Sequence, residues 1–238
     1  SGIRNTLTIA GRQFRAFFNG PIAYAVICIV LGLLGVFFWN TFFLFGKATL
    51  RELFSLMPAF MVFAAPAMTM GLLAEEKRTG TIELLITMPI RDGEVIIGKF
   101  LGVLGLYGVL LALTLFYPLS VASLGDLDWG PVVSGYLGLL LEGGAMLALG
   151  LLASSWTRNQ LVALLVGMAL CFGFWFIDRF VPFFPVQIAS VIEWLSFDYH
   201  FRSMARGVLD TRDVFYFLSL IIFPLLFAFR ALESRRWS

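Results

Sequence analysis

The chain reads as an all-α membrane protein with six spanning helices, and three observations carry that reading. Hydrophobic residues make up 60% of the 238 and charged residues 13%, where a soluble domain carries about 25% charged. Mean hydropathy is +0.91. Six apolar runs fall at 22–45, 55–74, 100–121, 133–156, 160–181 and 214–229, each near the roughly 20 residues a helix needs to cross the hydrocarbon core. Backbone inside lipid must bond to itself, so runs of this length mean helices. A β-barrel would need short alternating segments, and none stand out. The whole chain, 1–238, is expected to form a single transmembrane domain.

Residues 3–18 predict an amphipathic helix. Ile3, Leu7, Ala10, Phe14 and Phe17 recur at helical spacing, while Arg4, Thr8, Arg12 and Arg15 share another face. Such a helix suits the membrane plane, apolar side in the acyl boundary and arginines on the headgroups. Gly20-Pro21 then ends it and starts the first span at an angle, making an N-terminal elbow. That span is too long for the apolar region of a secretory signal and lacks its small-residue cleavage site.

Pro58 and Pro66 predict a kinked second span. The fourth carries Gly135, Gly138, Gly143, Gly144 and Gly150, a density of small residues that lets helix backbones approach closely, so it should pack against protein. Between the fifth and sixth spans, 182–213 interleaves Val191, Trp194, Leu195, Phe197, Phe201 and Met204 with Glu193, Asp198, His200, Arg202 and Arg206. It reads as one or two short interfacial helices on the outer surface. Asp178-Arg179 at the fifth span's end reads as an ion pair. Cys28 and Cys171 both lie in apolar runs, where neither a disulfide framework nor a zinc site is expected.

Charge sets the orientation. With the N-terminus in the cytoplasm, that side holds Arg4, Arg12, Arg15, Lys77, Arg78, Arg91, Lys99, Arg158, Arg230, Arg235 and Arg236, eleven of the seventeen basic residues. The other side holds Lys47, Arg51, Arg179, Arg202, Arg206 and Arg212. The bias favours both termini inside.

Against this apolar background, 75–99 (EEKRTGTIELLITMPIRDGEVIIGK) is a charged island. Thr79-Gly80-Thr81 is a helix-start cluster, and the short amphipathic helix 82–88 must stop before Pro89. Asp92 and Glu94 suit the first turn of the next helix, where the positive dipole end favours acids. That helix runs through Lys99 into the third span. The product is a polar helical hairpin between two membrane helices, with Leu84, Leu85 and Met88 available for a partner's groove.

This island resembles the intracellular segment of permease subunits of type-2 ABC transporters, with the greatest likeness to the GldF branch and the NosY branch as a neighbour. Ser154-Ser155-Trp156-Thr157-Arg158-Asn159-Gln160 after the fourth span supports it, as do Phe197-Asp198-Tyr199-His200-Phe201 and Arg206-Gly207-Val208-Leu209-Asp210 before the sixth. The resemblance implies a six-span ABC type-2 permease with a cytoplasmic coupling helix seated in a groove of a separate ATPase subunit. The contact residues it implies are Glu75, Glu76, Lys77, Arg78, Thr79, Gly80, Thr81, Ile82, Glu83, Leu84, Leu85, Pro89, Arg91, Asp92 and Glu94. Arg91 departs from the family, which often has a small polar helix-capping residue there, so local capping is expected to be weak. The resemblance further implies two ATPase subunits, a second permease chain, identical or similar, and the bacterial inner membrane. ATP and Mg would sit at the partner ATPase, with no cofactor on this chain and no nucleic-acid partner.

Several other signals lead elsewhere. Gly93–Lys99 has a phosphate-loop spacing but lacks the following Ser or Thr and a preceding strand. Glu75-Glu76 resembles the paired acids of some intramembrane proteases, yet His200 is the one histidine and falls on the opposite side. No metal or catalytic constellation emerges, so the chain is not expected to be an enzyme. Glu142 sits in an apolar span beside two glycines. A carboxylate there costs about 3 kcal/mol at the helix centre, which marks it for a substrate path, a dimer interface or a structural hydrogen bond. The expected function is the permease of an ATP-driven transporter, an exporter by resemblance. The alternatives are a non-transporting membrane anchor and an ion-gradient-driven transporter or channel.

Overall fold

A computed structural model describes residues 2–235. Twelve α-helices and one 3-10 turn account for the architecture, and no strand occurs among the described residues. In order they are α1 (Gly2–Asn19), α2 (Pro21–Phe45), α3 (Arg51–Thr69), α4 (Ala74–Thr79), α5 (Thr81–Thr87), α6 (Asp92–Thr114), α7 (Phe116–Leu124), α8 (Trp129–Ser155) and α9 (Gln160–Phe176). The 3-10 turn Ile177–Phe183 follows, then α10 (Val186–Leu195), α11 (Phe197–Ala205) and α12 (Thr211–Ser234). Six stretches are long and apolar enough to cross a membrane, so this is a multi-pass membrane protein. Arg236, counted above among the cytoplasmic cations, lies outside the described residues.

The fourth span, α8, is the axis of the bundle. In its most apolar window 83% of the residues are buried, against 22% in α2, 17% in the α9 stretch and 22% in α12, which turn most of their surface outward. Glycine explains how α8 accommodates neighbours on all sides. A Cβ at Gly143 would fall inside the Tyr107 ring of α6, one at Gly135 inside the Phe54 ring of α3, and one at Gly150 on Thr69. Tyr107 closes its contact with a 2.6 Å hydrogen bond to the Leu139 carbonyl. In hydrocarbon, where burial of apolar surface drives no association between helices, such close packing is the chief adhesive. Cys171 is buried against α8 and Cys28 is exposed on α2.

The second span keeps both prolines within helix and is interrupted beyond them. Helix α3 runs unbroken through Pro58 and Pro66, and the interruption comes at residues 70–73. Ser154 of α8 takes over the bonding there. Its hydroxyl accepts from the Leu73 and Ala74 amides and donates to the Met70 carbonyl, each at 3.0 Å, which uses its whole capacity of one donor and two acceptors. The third span also divides, at Leu115 between α6 and α7.

Helix α1 has three faces rather than two. Ile3 and Leu7 are exposed, as an apolar face toward lipid would be, and Arg4, Arg12 and Arg15 are exposed on another side. The third face packs on α6. Thr6 and Ile9 meet Gly98, Ala10 and Gln13 meet Gly102, and Phe14 meets Gly105. Both sets ascend together, so α1 lies parallel to the first four turns of α6, which present glycine every three to four residues from Gly98 to Gly105 to receive it.

At the other end of the bundle, 182–213 forms two short helices. Phe197, His200, Phe201 and Met204 of α11 are buried. His200 is held by Asp213 and the Trp194 carbonyl, each at 2.7 Å, and stacks on Tyr216 with ring centroids 3.8 Å apart. Asp178 does not pair with its neighbour Arg179: it bonds Arg202 of α11 at 2.9 Å, while Arg179 lies over the Phe176 ring. Adjacent side chains on a helical turn point apart, so the sequence neighbour was the wrong partner.

Candidate functional site

The charged island folds as a compact hairpin at the end of the bundle opposite α11. Helix α4 carries Glu75 and Glu76 in its first turn and Lys77 and Arg78 in its last, each sign complementing the helix dipole. Gly80 has φ +78°, a left-handed conformation that costs glycine little, and it lets α4 end and α5 begin within one residue. Helix α5 stops at Thr87, two residues before Pro89. Arg91 then caps α6 in spite of its side chain. The Glu94 carboxylate accepts from the Arg91 amide at 3.2 Å, one half of a capping box. The reciprocal half is closed to a guanidinium, which has no acceptor.

The fifteen residues implied by resemblance divide into two sets. Lys77, Ile82 and Asp92 are buried, and Glu75, Glu76, Leu85 and Glu94 are half-buried. Ile82 and Leu85 line a narrow seam with Leu73, Asp92, Val95 and Leu232 of α12, so one side of α5 is seated on its own bundle. Arg78, Thr79, Gly80, Thr81, Glu83, Leu84, Pro89 and Arg91 are exposed. Leu84 is 63% and Met88 46% exposed. The available surface is therefore the tip and outer side of α5, with two apolar side chains among charged and polar ones.

The buried set forms the hairpin's base. Lys99 donates to Glu76 at 2.6 Å and to Gln13 of α1 at 3.2 Å. Glu94 accepts from Asn5 of α1 at 3.3 Å. Lys77 donates to the Ser155 carbonyl at the end of α8, and Glu75 takes bonds from Arg78 and from Gln160 at the start of α9. Four helices outside the hairpin, α1, α8, α9 and α12, thus touch a segment of about two dozen residues. Asn5, Gln13, Ser154, Ser155 and Gln160 escaped sequence reasoning as bracing residues. Ser154, Ser155 and Gln160 lie inside the motif quoted above, but nothing in a single sequence says which segment they meet.

Glu142 stands apart. Its side chain is 1% exposed and neither carboxylate oxygen has a hydrogen-bond partner among the described residues. It is sealed inside the bundle, not set on a face open to a second chain, because α8 is surrounded by α3, α6, α9, α11 and α12. Among the described residues no group of three or more His, Cys, Asp and Glu is placed to hold a metal ion.

The architecture is that of a six-span helical membrane protein, and comparison with known proteins gives its class. The family model described as ABC-2 family transporter protein matches residues 40–198, so the chain belongs to that family. The chain is also 31% identical over 155 residues to a protein of Pseudomonas aeruginosa described as a probable ABC transporter permease protein NosY. That match covers 61% of this chain and 53% of the relative, so the chain spans about half the length of the curated protein it matches. The branch named above as a neighbour is the one this relative represents.

Proposed function

We propose that the chain is the permease subunit of an ATP-driven exporter and that its 75–99 hairpin is the coupling element on which a separate ATPase subunit acts. The observation that carries this reading is the division of the hairpin. An exposed amphipathic tip, Thr81, Glu83, Leu84 and Met88, is mounted on a base bonded to α1, α8 and α9. A tip suited to a partner's groove needs such a base if force is to reach the spans, since a loosely tethered loop would absorb the motion. On this reading the hairpin and both termini face the cytoplasm, the membrane is the bacterial inner membrane, and ATP and Mg belong to the partner. Two ATPase subunits drive two permease chains, this one and an identical or similar copy.

The exposed tip also selects the probe. Glu83→Arg combined with Leu84→Asp should abolish co-purification with the ATPase subunit, and permease-dependent stimulation of ATP hydrolysis should go with it. Membrane insertion and thermal stability should be unchanged, because neither residue is buried. Intact assembly and full stimulation in the double variant would remove the coupling assignment. Substrate movement in proteoliposomes that requires ATP separates this function from a passive anchor and from a gradient-driven carrier.

A further inference from the structure

We propose that the end of the bundle opposite the hairpin binds the phosphate of an anionic lipid. Two adjoining hollows of about 340 and 410 Å³ open there and share Arg51, Phe54 and Arg206. The first also takes in Trp175, Arg179 and Arg202. Arg51 opens α3, Arg179 lies in the 3-10 turn after α9, and Arg202 and Arg206 belong to the α11 segment. Four arginines therefore line one concavity from three separate elements.

Their charges are only partly cancelled in place. Asp198 lines the first hollow and Asp128 the second, and Asp178 bonds Arg202, three carboxylates against four cations. Arg202 is held by Asp178 and Asp198, both at 2.9 Å, and its hydrogen bond to Asp198 raises its pKa further, so this group is charged and fixed in direction. Arg51 and Arg206 make no ion pair among the described residues and are exposed. The Arg51 fork and the terminal amino groups of Arg206, whose Nε donates to the Arg202 carbonyl at 3.3 Å, suit a phosphate, to which arginine can bond through two parallel N–H groups.

Apolar and aromatic side chains, Phe54, Pro58, Trp175 and Phe201, form most of the remaining wall of the first hollow, with Ser55 and Ala205 beside them. A ligand with a phosphate and an adjoining apolar body fits this composition better than a bare ion. The site also stands where α3 begins and the α9 stretch ends, the depth at which headgroups meet spans. Snorkelling alone would scatter arginines around that rim. Here four of the six basic residues at this end converge, and they do so at the end of the molecule that holds fewer cations.

The test uses the intact purified chain, equilibrated with equal amounts of phosphatidylglycerol and phosphatidylcholine and examined by native mass spectrometry. Phosphatidylglycerol should be retained in excess. Arg51→Gln with Arg206→Gln should lower that preference at least about tenfold, the equivalent of one charge-assisted hydrogen bond. Lys47→Gln with Arg212→Gln, the two exposed basic residues at this end that line neither hollow, should leave it unchanged. Equal retention of the two lipids by the parent chain, or an unaltered preference in the Arg51/Arg206 variant, overturns the proposal. So does complete displacement of the lipid by millimolar inorganic phosphate, which would assign the hollow to a free anion.

Discussion

Lys99 shows how much a single side chain carries at the hairpin's base. Its ammonium is buried, with the side chain 6% exposed, and it is bonded to Glu76 and Gln13. Glu76 already keeps one oxygen buried without a partner, so it has little to fall back on. Removing one member of a buried pair strands the other, which costs about 3 kcal/mol or more, whereas replacing both is often neutral. Lys99→Met alone should therefore lower the thermal unfolding temperature of the detergent-solubilised protein markedly, and Lys99→Met with Glu76→Leu should recover much of the loss. A double variant no more stable than the single would show that the pair does not act as a unit. The same geometry makes Glu76 a poor probe of partner docking, since reversing its charge would oppose Lys99 directly. Glu83, exposed on α5, is the cleaner probe. In the sequence these two glutamates looked equivalent, both being acids in one charged segment. Which of them faces inward depends on the turn at residues 70–73 and on Gly80, and a helical repeat read across those breaks loses its phase.

At the scale of elements, α1 and α6 are joined by a row of glycines. Gly98, Gly102 and Gly105 remove the side chains that would keep the two helices apart, and Ile9, Gln13 and Phe14 occupy the space. Leucine at Gly98 and Gly102 together should unseat α1. A cysteine introduced at Gln13 in a Cys28→Ser background would then react with a maleimide that it otherwise excludes. Slow reaction in both backgrounds would mean that α1 stays docked by other contacts. The helix itself was legible in its 3.6-residue periodicity, and so was its cationic face. The docking face was not, because Asn5, Thr6 and Gln13 look like ordinary polar residues until α6 supplies Glu94 and Lys99. The outer helices behave similarly. Trp194 and Phe197 marked an interfacial segment, but the burial of His200 between Asp213, Trp194 and Tyr216 needs three elements at once.

For the whole molecule, six spans place the hairpin and α11 at opposite ends, and the proposed orientation puts the hairpin in the cytoplasm. A cysteine at Thr87 should then be labelled by a membrane-impermeant reagent only in opened cells, and one at Leu209, exposed beyond α11, in intact cells. Labelling in the reverse pattern would invert the orientation and leave an intracellular ATPase nothing to grip.

Composition and run length determined the number of spans and their helical nature, because lipid leaves the backbone no alternative to bonding within each segment. Periodicity and punctuation determined the amphipathic first helix, the small-residue central span and the hairpin between the second and third. Tertiary structure alone decided which faces of these elements are spent on the bundle and which remain free. It turned Lys77, Ile82 and Asp92 inward, sealed Glu142 inside, gave Asp178 to Arg202 and gathered four arginines at one rim. Those outcomes depend on how helices far apart in the chain are rotated against one another, and a local pattern holds no record of that rotation.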